Sequence, residues 1–266
     1  MSFGFEKMHA NGDDFVIVDC RGEQPFINAG IVRRLGDRNR GVGFNQLAVM
    51  TDCEDADARL MFWNPDGSTL DACGSATRGV AWKLMREMQS SCVTVRTERG
   101  LLTCKQAEDG LIAVDMGDPL LHWADVPLAR EADTLRLPLD GSPAACSMGN
   151  PHCTHFVVDA EAVQIEARGP EIERHSLFPM GTNVHFVQVI NPERIRLRIW
   201  ERGGGISSGS GSCACGAVVN GIRRGLLQDT VAVECDGGSL TVTWNGAGGV
   251  SLKGPVQSVF HGVWEA

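Results

Sequence analysis

No run of apolar residues in this 266-residue chain is long enough to span a bilayer as a helix. The opening segment MSFGFEKMHANGDD has neither the charged nor the apolar region of a signal peptide, so the expected location is cytoplasmic and no membrane partner is expected. Positive charge is scarce as well. With 24 Lys and Arg against 33 Asp and Glu, the net charge is −9 and the pI near 5.3, which argues against the basic face that nucleic acid requires. The ten cysteines are too dilute for a disulfide scaffold, and most are expected to be reduced and buried. Cys213-Ala214-Cys215 is not a C-x-x-C pair and no partner pair follows it, so zinc is not expected.

What the chain does contain is a glycine-serine loop, present twice. The stretch Trp200 to Asn220, WERGGGISSGSGSCACGAVVN, runs from a strand-like segment through small residues into a helix-like one. Small residues at such a point let an anion approach the free N–H groups of the first helical turn, here at Gly211 and Ser212. No lysine stands where a Walker-type loop would place it. The earlier copy is Asn64 to Ala81, NPDGSTLDACGSATRGVA, in which Cys73-Gly74-Ser75 corresponds to Ser210-Gly211-Ser212. Upstream, MHANGDDFVIVD (Met8 to Asp19) matches MGNPHCTHFVVD (Met148 to Asp159), at 65 and 62 residues from the respective triplets. A repeat this long is not a solenoid unit. It predicts two homologous lobes, residues 1–118 and 119–266, facing each other across a central cleft to which each gives one helix N-terminus and one side chain.

Lobes of about 120 to 140 residues are large enough to bury a core. In the first, strands are expected over residues 4–7, 15–19, 46–51, 59–63, 92–97, 101–106 and 111–116, with helices over 28–35 and 76–88. Gly117-Asp118-Pro119 breaks the pattern, and the polar stretch to Ser147 reads as a linker. The second lobe repeats the plan, with strands over 153–158, 184–191, 194–200, 231–235, 240–244 and 250–253, and helices over 160–166 and 212–223. A last strand over 256–264 has no assigned lobe. Long strands in mixed register with one principal helix per lobe argue for an α+β fold of mixed sheets, not for a doubly wound one.

The chemistry concentrates on two side chains. A thiol at a helix start, as Cys73 would be, is expected to have its thiolate stabilised by the dipole and to act as base or nucleophile near neutral pH. A second group at Ser210 suggests a particular task. Two bases on opposite faces of one carbon can remove a proton from one side and return it from the other, inverting the centre.

Several linked motifs, spread over essentially the whole chain, resemble the diaminopimelate epimerase family of cofactor-independent amino-acid epimerases. KMHANGDDF (Lys7 to Phe15) is similar to the family's K-M-H-G-x-G-N-D-F, and GVGFNQ (Gly41 to Gln46) to its G-x-G-x-D-Q. NPDGSTLDACGSATR (Asn64 to Arg78) resembles N-x-D-G-S-x-x-x-x-C-G-N-x-x-R, which makes Cys73 the first catalytic cysteine. GNPH (Gly149 to His152), GTNVHF (Gly181 to Phe186) and ERGGG (Glu201 to Gly205) match in turn. The resemblance implies that Gly74, Ser75, Gly211 and Ser212 hold the reacting α-carboxylate through their backbone. It implies further that Asn64, Asn150, Asn183 and Arg202 hold the distal end of a small amino-acid substrate, with Asp13 and Gln46 also at the site. His152 and Glu201 are implied beside the catalytic pair, where they could help move protons. No cofactor and no metal are implied. Family members are often dimers, which makes a homodimer an allowed assembly, although nothing in these residues fixes it.

Three departures qualify the resemblance. Ser210 stands where the family has its second catalytic cysteine, and a hydroxyl is a far weaker acid than a thiol. A deliberate exchange, natural divergence, and takeover by Cys213 one helical turn on are competing explanations; the neighbouring departures favour divergence. Asp13 and Ser75 both replace an Asn. A carboxylate at residue 13 leaves room for a substrate with a cationic side chain, such as histidine, and a mixed pair also occurs in one-base dehydratases of hydroxy amino acids. A binding protein that has lost catalysis is the expectation from another class.

Overall fold

The structure, a computed structural model, describes residues 2–23 and 26–265. In chain order the elements are β1 (Ser2–Ala10), β2 (Asp13–Asp19), α1 (Ala29–Gly36), β3 (Gln46–Thr51), β4 (Ala58–Trp63), β5 (Thr69–Leu70), α2 (Gly74–Met88), β6 (Cys92–Thr97), β7 (Gly100–Gln106) and β8 (Ile112–Asp115). Then follow β9 (Ala144–Ser147), β10 (Pro151–Val157), α3 (Ile165–Glu173), β11 (Asn183–Asn191), β12 (Arg194–Glu201), β13 (Gly205–Ser207), α4 (Gly211–Arg223), β14 (Thr230–Cys235), β15 (Gly238–Thr243), β16 (Ser251–Gly254) and β17 (Gln257–Glu265). This is the mixed-sheet α+β architecture expected. Contacts divide it into two units, Met1–Asp115 with Gly254–Ala266, and Met116–Lys253. None of the described helices is long and apolar enough to cross a membrane.

Within the first unit, β1 pairs antiparallel with β2, β2 parallel with β3, β3 antiparallel with β4, β4 parallel with β6, and β6, β7 and β8 follow as an antiparallel meander. Asn11 and Gly12, both at positive φ, make the two-residue turn between β1 and β2. One face of this sheet carries α2, which packs on β1, β2, β3, β6 and β8. The other carries α1, whose Val32 and Leu35 meet Val16, Val18, Leu47 and Val49. Because both faces are covered, the middle of β2 is a continuous buried run, Phe15 to Val18, and not an alternating one. The final strand, left without a lobe by the sequence, pairs antiparallel with β1.

The second unit repeats this pairing strand for strand: β9 with β10, β10 with β11, β11 with β12, β12 with β14, then β15 and β16. The register of the repeat is exact through the functional stretch. Phe15 lies opposite Gln46 and His152 opposite Asn183; Leu47 opposite Trp63 and Val184 opposite Trp200. All four equivalences share an offset of 137 residues. The same offset relates Cys73 to Ser210, Asp13 to Asn150 and Gln46 to Asn183. The sequence match of Met8 with Met148 is therefore three residues out of register. The hairpin entering β10 is built differently from the one entering β2, so the likeness of their first residues misleads.

Two further expectations need correction. The helix expected over residues 160–166 lies instead at Ile165–Glu173, through Gly169 and Pro170, residues that normally end a helix. Docking overrides the propensity: a Cβ at residue 169 would stand 2.4 Å from the Trp200 ring, and Trp200 Nε1 donates to Glu173 Oε2 at 2.7 Å. The expected linker is packed structure. Val126, Leu128 and Leu137 join the core of the second unit, and the arginines ending α4 hold the segment, Arg224 donating to Leu135 O and Ser142 O, Arg223 to Thr134 Oγ1.

Candidate active site

In the first unit, Cys73 is the N-cap of α2, with extended backbone, and its sulfur accepts from the N–H of Ala76 at 3.4 Å. The thiol hydrogen bonds to Gln46 Oε1 at 3.7 Å, from the first residue of β3. Asp13, at the start of β2, accepts from Asn45 Nδ2 at 2.9 Å and hydrogen bonds to Ser75. The buried Arg78, one turn into α2, lies within electrostatic reach of both Asp13 and Cys73. Asn64 sits just after β4, its Nδ2 donating to Ser68 Oγ at 3.0 Å. The structure thus brings Asp13, Gln46, Cys73, Gly74 and Ser75 together at the start of one helix.

The expected neutral-pH thiolate is not what this setting favours. Burial pushes the Cys73 thiol up to about 12, Asp13 adds to the rise, and the Ala76 N–H, Arg78 and the Ser75 N–H oppose it. Removing an anion from water here costs more than one helix start returns. Burial likewise pushes the Asp13 carboxyl up, against hydrogen bonds from Asn45 and Ser75 and the charge of Arg78.

In the second unit, Ser210 is the N-cap of α4 and hydrogen bonds to the Cys213 thiol. Cys213 is completely buried, and that burial holds its thiol well above the ordinary range. Asn150 donates to Ser212 Oγ at 3.4 Å, and its Oδ1 lies 2.8 Å from His152 Nε2. Asn183 braces the site: its Oδ1 accepts from the Arg202 N–H at 3.0 Å and its Nδ2 donates to Pro151 O at 3.1 Å. Asn183 therefore keeps its second N–H and one carbonyl lone pair for a ligand. Arg202 is exposed, donating to Met180 O at 3.3 Å, and Glu201 is half-buried at the end of β12.

Sequence reasoning missed three residues beneath the start of α4. His185 Nε2 lies 3.2 Å from His152 Nδ1, and its Nδ1 lies 3.1 Å from Thr154 Oγ1. Asn220, on α4, donates to Thr154 Oγ1 at 3.0 Å. His152, His185 and Cys213 also form a buried group whose potential ligand atoms lie within 4.8 Å of one another, a cluster that cysteine spacing did not suggest. The only signal in the sequence was polar residues on strands otherwise buried, as in HCTHF and NVHFV.

The profile of the diaminopimelate epimerase family matches residues 5–121 and 144–259. A diaminopimelate epimerase of Gluconobacter oxydans is 47% identical over 98% of this chain and 99% of its own length. One from Acidiphilium cryptum is 46% identical over 98% of this chain and 96% of its own length. Among solved structures, a phenazine biosynthesis protein of the PhzF family from Bacillus anthracis superposes with a TM-score of 0.71 at 16% identity, each chain covered in full. A hydroxyproline epimerase from Agrobacterium vitis gives 0.67 at 14% identity, over 98% of this chain and 92% of its own. At such identities these two structures speak to the fold alone.

Proposed function

The chain belongs to the diaminopimelate epimerase family and is an isomerase, and from that premise we propose that it interconverts LL- and meso-diaminopimelate by proton transfer at Cα, without a cofactor. Cys73 and Ser210 are the two proton-transferring groups. The observation that carries this reading is positional: each heads the principal helix of its unit, at equivalent places in the repeat, followed by Gly-Ser. The N–H groups of Gly74, Ser75, Gly211 and Ser212 receive the reacting carboxylate, where helix dipoles favour negative charge. Asn64, Asn150, Asn183 and Arg202 take the distal amino-acid end, and His152 and Glu201 flank the catalytic pair.

The proposal assigns unequal work to the two groups. Cys73 is protonated in its buried setting and serves as acid in one direction; as base in the other it needs the bound ammonium and carboxylate of the substrate to reorganise the local charge. Ser210 is intrinsically weaker as either, so the step it performs limits turnover. Incubation with LL-diaminopimelate in D2O tests the reading. Deuterium at Cα of the meso product supports it. Exchange with retention would indicate a one-base enzyme, and binding without exchange would remove the catalytic assignment.

A further inference from the structure

The second unit carries a buried line of polar side chains, three of which stand where their counterparts in the first unit are apolar. His152, His185 and Thr154 correspond, at the offset of 137, to Phe15, Ala48 and Ile17, all buried and apolar. The scaffold therefore does not need polar groups at these positions, and buried polar networks are costly unless every member is satisfied. Here the members are satisfied, and the order in which they are satisfied has a direction.

That direction can be traced from a group with no choice. A guanidinium only donates. Arg223 Nη1 lies 3.1 Å from Asn220 Oδ1, so the Asn220 carbonyl faces the arginine and its Nδ2 faces Ala144 O, which only accepts, and Thr154 Oγ1. Thr154 is fully buried and hydrogen bonded to Asn220 and His185; the Asn220 amide donates to it, so His185 Nδ1 is the partner that can take the hydroxyl proton, which a buried hydroxyl must place somewhere. With Nδ1 accepting, neutral His185 carries its proton on Nε2 and donates to His152 Nδ1. His152 in turn carries its proton on Nε2 and donates to Asn150 Oδ1. The amide of Asn150 is thereby oriented with Nδ2 towards Ser212 Oγ. Ser212, having accepted, has its hydroxyl proton to give. Complete burial holds His185 down to about 3, so neutrality persists at ordinary pH.

We propose that Asn220, Thr154 and His185 are positioning residues: they form a one-way hydrogen-bond chain that fixes the tautomer of His152 and makes Asn150 and Ser212 donors to an anion at the start of α4. A site so set takes an acceptor such as a carboxylate and rejects a donor-only group such as an ammonium in its place. In this arrangement both ring nitrogens of His152 are committed, so His152 orients Asn150 and does not act as a base. That the anion is a carboxylate of the substrate, the distal one that Asn150 is assigned, rests on the function proposed above; the direction of the chain does not.

The test is the tautomeric state of the two histidines in the full-length chain labelled with 15N-histidine, assigned by comparison with the His185→Phe variant. The expected spectrum has the proton on Nε2, with Nδ1 bare, for both His152 and His185. Asn220→Asp should reverse the line, because a carboxylate accepts from Thr154, which then accepts from His185. The proton moves to Nδ1 in both histidines, and KM rises by about tenfold with kcat changed far less. A loss of packing alone would not exchange the tautomers. If Asn220→Asp fails to fold, the wild-type spectrum decides. A proton on Nδ1 of either ring in the wild type, or uptake of one zinc ion per chain with loss of both Nε2–H signals as His152, His185 and Cys213 turn to the metal, would overturn the proposal. The expected spectrum from a chain without exchange at Cα would leave the hydrogen-bond line standing and count against the catalytic reading instead.

Discussion

The two units of this protein share one strand order and one residue register, and differ in what lies beneath the principal helix. Under α2, a glycine meets an aromatic ring: a Cβ at Gly79 would stand 2.4 Å from Phe15. Under α4 the equivalent Gly216 meets an imidazole, with a Cβ 2.9 Å from His152 Cγ. The packing solution is the same, while the chemistry is apolar in one unit and a polar line in the other. At the helix tips the contrast reverses. The first unit presents a thiol beside Asp13 and Arg78, the second a hydroxyl beside neutral amides. A duplicated scaffold can thus hold its geometry constant while each copy is given a separate electrostatic task.

Exchanging residues between the two copies tests this contrast. The largest effect is expected at Cys73→Ala, which removes the thiol and should lower exchange at Cα by about 10³-fold in solvent-deuterium assays; activity close to wild type would transfer the role elsewhere. Next comes acid stability. His185 has a folded pKa of about 3 against an ordinary 6.5, so the unfolded chain binds the extra proton between those values. Its contribution is complete above pH 6.5 and is lost as pH falls towards 3, by about 1.4 kcal/mol per pH unit. His185→Ala, which copies Ala48, should flatten that slope in denaturation curves measured across the window. Gly79→Ala should cost about 1–3 kcal/mol in the same assay, and Gly216→Ala somewhat less, since its nearest contact is longer. The smallest effect is expected at Asp13→Asn, which copies Asn150. Removing the charge that raises the Cys73 pKa should speed thiol alkylation at fixed pH by about tenfold or less; a slower reaction would mean that Asp13 does not raise the thiol.

Much of this was legible in the residues themselves. The paired triplets at Cys73 and Ser210 report local backbone chemistry, a helix start with small neighbours, and local chemistry survives in sequence. The strands around them were readable because β-branched and apolar residues cluster where both sheet faces are covered. What the residues did not show depended on partners distant in the chain. Gly169-Pro170 reads as a helix end until Trp200 is placed against it, and the polar stretch after Pro119 reads as a linker until Arg223 and Arg224 are seen holding it. His185 is one polar residue in a strand until Thr154 and Asn220 stand beside it, and a thiol at a helix start looks activated until its burial is known.

Ser210→Cys gives the second unit the thiol that the first already has, and its effect on the stereochemical course bears on the account most directly. Conversion of LL- to meso-diaminopimelate, followed as deuterium incorporated from solvent with inversion, should rise by about 10²-fold in this variant. An unchanged or lower rate of inversion would contradict the assignment of residue 210 as the second proton-transferring group.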